Sequence, residues 1–455
     1  MSETEAIMWA VEKDPALRSD FCNLTILEHA PNEKRLRTTL EHALGAIPRL
    51  RQRVVSAPFR LVPPEFATDP GLDIDYHVRR IAVPAPGDRR ALLDVCEQLA
   101  EAPFDRSRPL WEFTVLDGLA GGRAALVQKV HHTISDGVGA LRLSLAMLDL
   151  EADPAPRPEV PVEPDGDNPA RGPLGVLRGA AFDATARGAH VVGHAVHGAT
   201  SVLTHPTELP ARAADATRLA ASVHRQAFVA DRAHSDILQG RSLRRHFEVH
   251  RVALPALRRV AAALGGSVND AYVTGIAAGL GRYHDRMEST VSELRMAMPV
   301  STRGKGDAGA NRFAPARVLV PIQPAGDPAA LFAVIHDRLA TTKTEPALAA
   351  LESLAGFAYF LPTSLLVAFT RNQARTIDFA ASNLRGSPVP LYLAGARIAA
   401  NFPFGPRSGT ALNITTLGYA DELHLGCNID PAAVTDIDAF TADLTAGFEE
   451  LLELS

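Results

Sequence analysis

Across residues 111–132, in WEFTVLDGLAGGRAALVQKVHH, large apolar side chains first fall on every second position. Trp111, Phe113 and Val115 alternate with Glu112 and Thr114, the period of a strand buried on one face. Asp117-Gly118 and Gly121-Gly122 carry turn chemistry, and AALVQKV makes the returning strand, so the stretch predicts a hairpin. Beyond it the period changes. Val138, Leu141, Leu145 and Leu148 share one face of a helix. His131 and His132 are therefore placed where a strand ends, and Asp136 just before a helix begins.

The same reading organises the rest of the chain. In PAPRPEVPVEPDGDNPARGP, Pro154 to Pro173, seven prolines fall among charges and glycines, which makes a stiff linker and excludes a helix. From Leu174 to about His234 the spacing turns helical and the composition Ala-, Arg- and His-rich. His190, His194 and His197 share a face there, but no Cys, Asp or Glu stands near to complete a metal shell, so a crossover helix is expected. From about Gly240, strand-like HFEVHRVALP and ARVLVPI mix with the helical SVNDAYVTGIAAGLGRYH. The chain closes on a helix in which Ile437, Phe440, Leu444, Phe448 and Leu451 form a buried face. The elements read as α/β in two halves, residues 1–151 and 240–455, joined by a linker and helical crossover over 152–239.

At 455 residues a division of the core is the default. A net charge of −6 gives no basic stripe for nucleic acid. Cys22, Cys96 and Cys427 form neither a CxxC pair nor a disulfide framework and read as small buried hydrophobes. The acidic start MSETEAIMWAVEKD has no signal-peptide pattern. The most apolar run, LAGFAYFLPTSLLVAF (354–369), is shorter than the roughly 20 residues of a span and is interrupted by Pro362. A buried core helix is the favoured reading of it, with lipid contact as the alternative. The expected location is cytoplasmic, with peripheral association to a membrane or lipid droplet.

KVHHTISDGVG (129–139) carries the candidate chemistry. Neutral histidine, with an unperturbed pKa near 6.5, can take a proton from a hydroxyl at neutral pH. A carboxylate four residues on can pair with a cation and lock the bend, and Gly137 and Gly139 permit close backbone approach. The residues alone leave other uses open: Asp136 as a helix N-cap, the histidines as satisfied core groups or half of a metal site. GxSxG, HExxH and Walker patterns are absent. The one GxGxxG, Gly304 to Gly309, leads into a strand and reads as a loop. Direct attack by a substrate hydroxyl deprotonated by histidine is then the economical mechanism.

The ordered blocks resemble the bacterial wax ester synthase/acyl-CoA:diacylglycerol acyltransferase family, within the CoA-dependent acyltransferases of chloramphenicol acetyltransferase type. His131 to Gly137 matches the HHxxxDG box, Pro109-Leu110-Trp111 the PLW box, and Asn269-Asp270 the ND box. RMAMPVSTR (295–303), GANRF (309–313), Ser382-Asn383 and PLYLAGARI (390–398) continue the register. The resemblance implies two mixed-sheet halves packed around a central channel. It implies His132 as proton acceptor and Asp136 as chiefly structural, although both are counted as catalytic. It places His131, Gly137, Asn269, Ser382, Asn383 and Arg385 at the substrates, with Pro109, Leu110, Trp111 and Asp270 in support. Asn383 and Asn269 are candidate donors to the oxyanion.

Three departures stand out. Leu384-Arg385-Gly386-Ser387 replaces a VPGP-like turn, Gly418-Tyr419 replaces a Ser-Tyr pair, and Trp9 occupies a position usually held by another apolar residue. Arg385 would there meet a CoA phosphate or a polar acceptor. The implied activity is O-acyl transfer from acyl-CoA to diacylglycerol or a long-chain alcohol, with acyl-CoA as co-substrate and no cofactor or metal. The rivals are a condensing enzyme acting on a carrier-bound or natural-product acceptor, which the altered loop keeps open, and a silent lipid-binding protein.

Overall fold

The computed structural model describes residues 1–56, 62–134, 143, 146–155, 157, 232–301, 313–322, 326–343 and 361–454. The 111–132 hairpin forms: β5 (Trp111–Leu119) runs antiparallel to β6 (Arg123–His131), with Trp111 opposite Val130 and Glu112 opposite Lys129. Two local expectations change. Thr114 is buried along with Val115, because apolar clusters cover both faces of the sheet. Asp117-Gly118 is not the turn but an irregularity late in β5; the chain reverses at Ala120–Gly122, where Gly121 and Gly122 take positive φ.

Ahead of the hairpin come β1 (Asp20–Leu27), β2 (Gln52–Val55), β3 (Glu65–Thr68) and β4 (Val78–Ala82). After it come β7 (His246–Ala253), β8 (Glu293–Ser301), β9 (Phe313–Pro321), β10 (Phe379–Leu384), β11 (Tyr392–Leu393), β12 (Ala396–Phe404), β13 (Leu412–Tyr419) and β14 (Glu422–Ile429). One six-stranded sheet has the order β11-β12-β1-β6-β5-β4, the other β7-β14-β13-β10-β8-β9; β2 and β3 pair separately. Each six-stranded sheet mixes parallel and antiparallel neighbours. This is the expected α/β fold of two mixed-sheet halves.

A cut at residue 240 does not separate the sheets. β11 and β12 come from the second half of the sequence and extend the first sheet, β12 pairing antiparallel with β1. The halves also share a core in which Phe247 stacks on Phe404 at 4.1 Å. Burying one such ring contributes roughly 1.5–3 kcal/mol. Arg245 crosses the same seam to Asp20, with 3.0 Å between Nη1 and Oδ2.

In the second half, helix Val268–Arg286 is buried over most of its length. The closing helix Ile437–Leu452 packs on it through Phe440, Leu444, Phe448 and Leu451. A Cβ on Gly279 would lie 2.6 Å from Leu444 Cα, so this crossing requires glycine.

The described end of the apolar run is helix Thr363–Ala374. Its buried Leu366 packs with Ala6 and Ala10 of helix Glu3–Val11, but Leu361, Leu365 and Phe369 are exposed. The reading of a buried core helix is thereby corrected for this part of the run. Among the described residues, no helix is long and apolar enough to cross a membrane. The linker prolines beyond Pro154, the three clustered histidines, the GxGxxG and most of the helix after Gly139 lie outside the described residues.

Candidate active site

Ser2 and Glu5 form a capping box that starts helix Glu3–Val11, and Glu12 stands at its C-cap. From there the Glu12 carboxylate reaches 119 residues along the sequence to the end of β6, where Oε1 accepts His131 Nε2–H at 2.6 Å. The same oxygen accepts Ser19 N–H at 2.7 Å. On the other side of the ring, Thr133 N–H donates to His131 Nδ1 at 3.1 Å. A nitrogen that accepts an amide proton carries none itself, so His131 is held as the Nε2–H tautomer. It is 2% exposed, with Trp9 and Phe104 edge-on.

His132 is held differently. Its backbone N–H donates to Ser19 O at 3.2 Å, and its half-buried ring lies 4.9 Å from that of Phe21. Glu12 thus grips His131 through the ring and His132 through the backbone of Ser19. A burial split between the two histidines follows from their consecutive positions at a strand end. Asp136 and Gly137 lie outside the described residues.

Pro109, Leu110 and Trp111 brace this strand end from the neighbouring strand. His131 N–H donates to Leu110 O at 3.0 Å and Trp111 N–H to Pro109 O at 3.0 Å. The buried Trp111 indole donates to Leu50 O at 2.8 Å, and its own carbonyl accepts His77 Nδ1–H at 2.7 Å. The His77 ring stacks on it at 4.4 Å, and burial pushes the His77 pKa down, which keeps the ring neutral. Nearby Lys129 is buried, donates to Ala102 O at 2.5 Å and lies 3.9 Å from Glu112. Burial lowers its pKa, and Glu112 opposes that.

A second group forms in the other half. Asn383 Nδ2–H donates to Asn269 Oδ1 at 3.3 Å. Ser382 lies beside it on β10, where its carbonyl accepts the Tyr272 hydroxyl at 3.3 Å. Asp270 is buried and caps its own helix: it accepts Ser267 N–H at 2.8 Å and faces His336 Nδ1 at 2.9 Å. Asn269, Ser382 and Asn383 are therefore brought together, and Asp270 supports them from below.

The two departures in the second half prove to be one contact. A Cβ on Gly386 would lie 2.0 Å from Gly418 O, and Ala420 N–H donates to Ser387 O at 2.8 Å. The Tyr419 hydroxyl ties the arrangement down, accepting Leu391 N–H at 2.9 Å and donating to Ile398 O at 3.0 Å. Arg385 is exposed on this loop, outside both groups.

Glu12, Ser19, Phe21 and Lys129 are the residues that sequence reasoning missed. Glu12, Ser19 and Phe21 meet the histidine strand only through tertiary pairing, and Lys129, on that strand itself, shows no local sign that Ala102 and Glu112 will cover it. Cys22, Cys96 and Cys427 are buried and free, as read, and burial raises each thiol pKa. Among the described residues no cluster of His, Cys, Asp or Glu is arranged to hold a metal ion.

Comparison with known proteins agrees along the chain. Residues 1–272 match the family model described as wax ester synthase/diacylglycerol acyltransferase catalytic domain, and residues 309–452 that of the WS/DGAT C-terminal domain. A Mycobacterium tuberculosis protein provisionally named a diacylglycerol O-acyltransferase is 33% identical over 465 residues, covering 100% of this chain and 92% of the relative. A second such protein of that organism is 29% identical over 91% of this chain and 88% of its own length. Among solved structures, the wax ester synthase/diacylglycerol acyltransferase from Marinobacter aquaeolei VT8 superposes with a TM-score of 0.65 at 23% identity, covering 98% of this chain and 97% of that one. The first condensation domain of the calcium-dependent antibiotic synthetase gives 0.59 at 16% identity, covering 100% and 95%. At these identities the two structures speak for the fold.

Proposed function

This chain belongs to the wax ester synthase/diacylglycerol acyltransferase family, and on that premise we propose how its histidine strand makes an ester. The substrates are acyl-CoA and a hydroxyl acceptor, either diacylglycerol or a long-chain alcohol. The neutral His132 ring takes the acceptor's hydroxyl proton as its oxygen attacks the thioester carbonyl. The tetrahedral oxyanion collapses, the C–S bond breaks, and the thiolate leaves with the proton that His132 returns. Triacylglycerol or wax ester and free CoA thiol balance the reaction, with no group beyond the acyl-CoA co-substrate. General-base action of this kind contributes about 10²–10⁴-fold.

One observation supports the assignment most directly. Of the two adjacent rings, that of His131 belongs to a buried residue, whereas that of His132 is half-buried beside Phe21. The Asn269–Asn383 pair is the proposed oxyanion donor, and Arg385 the proposed contact to a polar group of a substrate. The exposed Leu361, Leu365 and Phe369, at i, i+4 and i+8, support peripheral contact with a membrane or lipid-droplet surface, where both lipid substrates would be found.

Thiol release tests the reading: purified protein, a long-chain acyl-CoA, and diacylglycerol, long-chain or short alcohols as acceptors. Acceptor-dependent release that His132→Ala removes is the expected result. Release with none of them would favour a carrier-bound acceptor or a silent protein. Flotation with triolein droplets tests the surface contact, which should weaken in Leu365→Ser/Phe369→Ser.

A further inference from the structure

Asp270 holds the start of helix Val268–Arg286 by contacts that reach outside that helix. Its Oδ2 accepts Ser267 N–H at 2.8 Å, and its own N–H donates back to Ser267 Oγ at 3.3 Å. These two bonds close a capping box, which fixes the backbone turn that carries Asn269. The same Oδ2 accepts His336 Nδ1–H at 2.9 Å. Among the described residues no arginine or lysine pairs with this buried carboxylate, and His336 is the ionisable group set against it.

His336 arrives from another element. It lies on helix Pro328–Lys343, one turn after Phe332, and the two rings are parallel at 6.4 Å. Phe332 packs directly over the turn before the cap: a Cβ on Gly266 would lie 2.6 Å from Phe332 Cζ and 2.9 Å from Asp270 Oδ2. Glycine there lets one helix bring a phenyl ring and an imidazole against the first turn of the other. The Asp270 side chain is 3% exposed and that of His336 41%, so the imidazole can be exchanged without opening the core.

From this contact a line of bonds runs to the site. Asn269 directly precedes Asp270, and its Oδ1 accepts Asn383 Nδ2–H at 3.3 Å. A bond of that length holds the amide pair loosely, so the turn beneath Asn269 does most to place it. We propose that His336 is a positioning residue for acyl transfer. By holding Asp270 it sets the first turn of the helix, and with it the Asn269–Asn383 pair, where the oxyanion forms. The inference rests on the acyltransferase reading and adds to it a residue outside both the histidine strand and the amide pair.

Thiol release is measured in His336→Ala, His336→Asn, Asn383→Ala and the His336→Ala/Asn383→Ala double variant. Loss of an oxyanion donor costs about 10²–10³-fold, and its displacement should cost less, so kcat of His336→Ala should fall about 10–10²-fold. KM for both substrates should hold, because an oxyanion donor acts in the transition state. Asparagine places an amide N–H where Nδ1–H stood, so His336→Asn should recover most of kcat. When Asn383 is already alanine, His336→Ala should cost little further, because the group it positions is gone.

Wild-type kcat in His336→Ala overturns the proposal, whether or not Tm falls. So does a rate loss undiminished in the Asn383→Ala background. The side-chain amide resonances of Asn269 and Asn383, assigned in ¹⁵N-asparagine protein by their loss in Asn269→Ala and Asn383→Ala, give a readout independent of turnover. They should move in His336→Ala and return in His336→Asn. If wild type releases no thiol with any acceptor, the acyltransferase reading fails, whereas these resonances still decide whether His336 sets the pair.

Discussion

Replacing Glu12 by alanine removes one buried carboxylate oxygen that accepts two protons, from His131 Nε2–H at 2.6 Å and Ser19 N–H at 2.7 Å. Each donor left unpaired costs about 1–3 kcal/mol, and because they share one acceptor the combined loss is set at roughly 2–4 kcal/mol. Unfolding entropy near 2.1 cal/mol/K per residue makes about 1 kcal/mol per degree for a chain of this length unfolding as one unit, so Tm should fall by roughly 2–4 °C. The effect on rate should be larger than the effect on stability. Ser19 O holds His132 N–H, so a loosened Ser19 lets the proton-accepting ring drift, and a displacement of about 1 Å can cost on the order of 10²-fold. Glu12→Gln keeps a carbonyl oxygen in the same place and should restore most of kcat. The assay is thiol release at saturating substrates, with circular dichroism melting on the same samples. Wild-type kcat in Glu12→Ala at a lowered Tm would refute the positioning role and leave Glu12 a packing residue.

His132→Ala should abolish thiol release at every pH with its fold intact, whereas His131→Ala should keep measurable activity at a lower Tm; equal rate loss without destabilisation would point to a paired-imidazole site. Asn383→Ala should lower kcat by about 10²–10³-fold if its amide serves the oxyanion, and no change in kcat removes it from that role. Gly386→Ala forces a methyl group against Gly418 O, at 2.0 Å without adjustment, and should lower Tm or shift acceptor preference; a variant identical to wild type in both would mean that the loop moves aside freely. His250 gives a pH test: burial lowers its pKa to about 4, so between that and the unfolded value near 6.5 the unfolded chain binds the extra proton. Its contribution is complete above pH 6.5 and is lost as pH falls toward 4, by up to about 3 kcal/mol. His250→Gln should flatten that part of the urea midpoint against pH, and an unchanged slope would contradict the assignment.

The hairpin of residues 111–131 was legible because its signal is local: alternation, turn residues and return all lie within one short window. The histidine strand end was legible for the same reason, whereas Asp270 entered only through the resemblance to an ND box, and its capping box with Ser267 emerged from the structure. What holds the histidines in place was not. Glu12 reaches His131 across 119 positions, and nothing in EAIMWAVEKD shows whether its second glutamate faces solvent or an imidazole. The same limit applies to β12, since ARIAANFPF reads as a strand wherever it pairs, and its hydrophobic pattern does not name β1 as the neighbour. Thr114 misled the one-sided reading because a small polar residue fits a covered sheet face as well as a wet one. The departures at 384–387 and 418–419 looked independent in sequence and are joined by strand pairing, a backbone hydrogen bond and a carbonyl packed against a missing side chain.

The insertion of β12 beside β1 has a consequence for how the chain is made. β1 and β6 are both synthesised within the first 131 residues, but the strand that covers the other edge of β1 ends at Phe404. At translation rates of about 5–20 residues per second, that edge waits roughly 15–55 s for its neighbour. During the interval its free N–H and C=O groups are open to any other extended chain, a second nascent copy included. Expression of this protein should therefore depend on elongation rate and on holding chaperones well before it depends on the stability of the finished fold. A fragment ending anywhere short of residue 404 carries that open edge for its whole lifetime, so the histidine-bearing half is poorly suited to work as an excised domain.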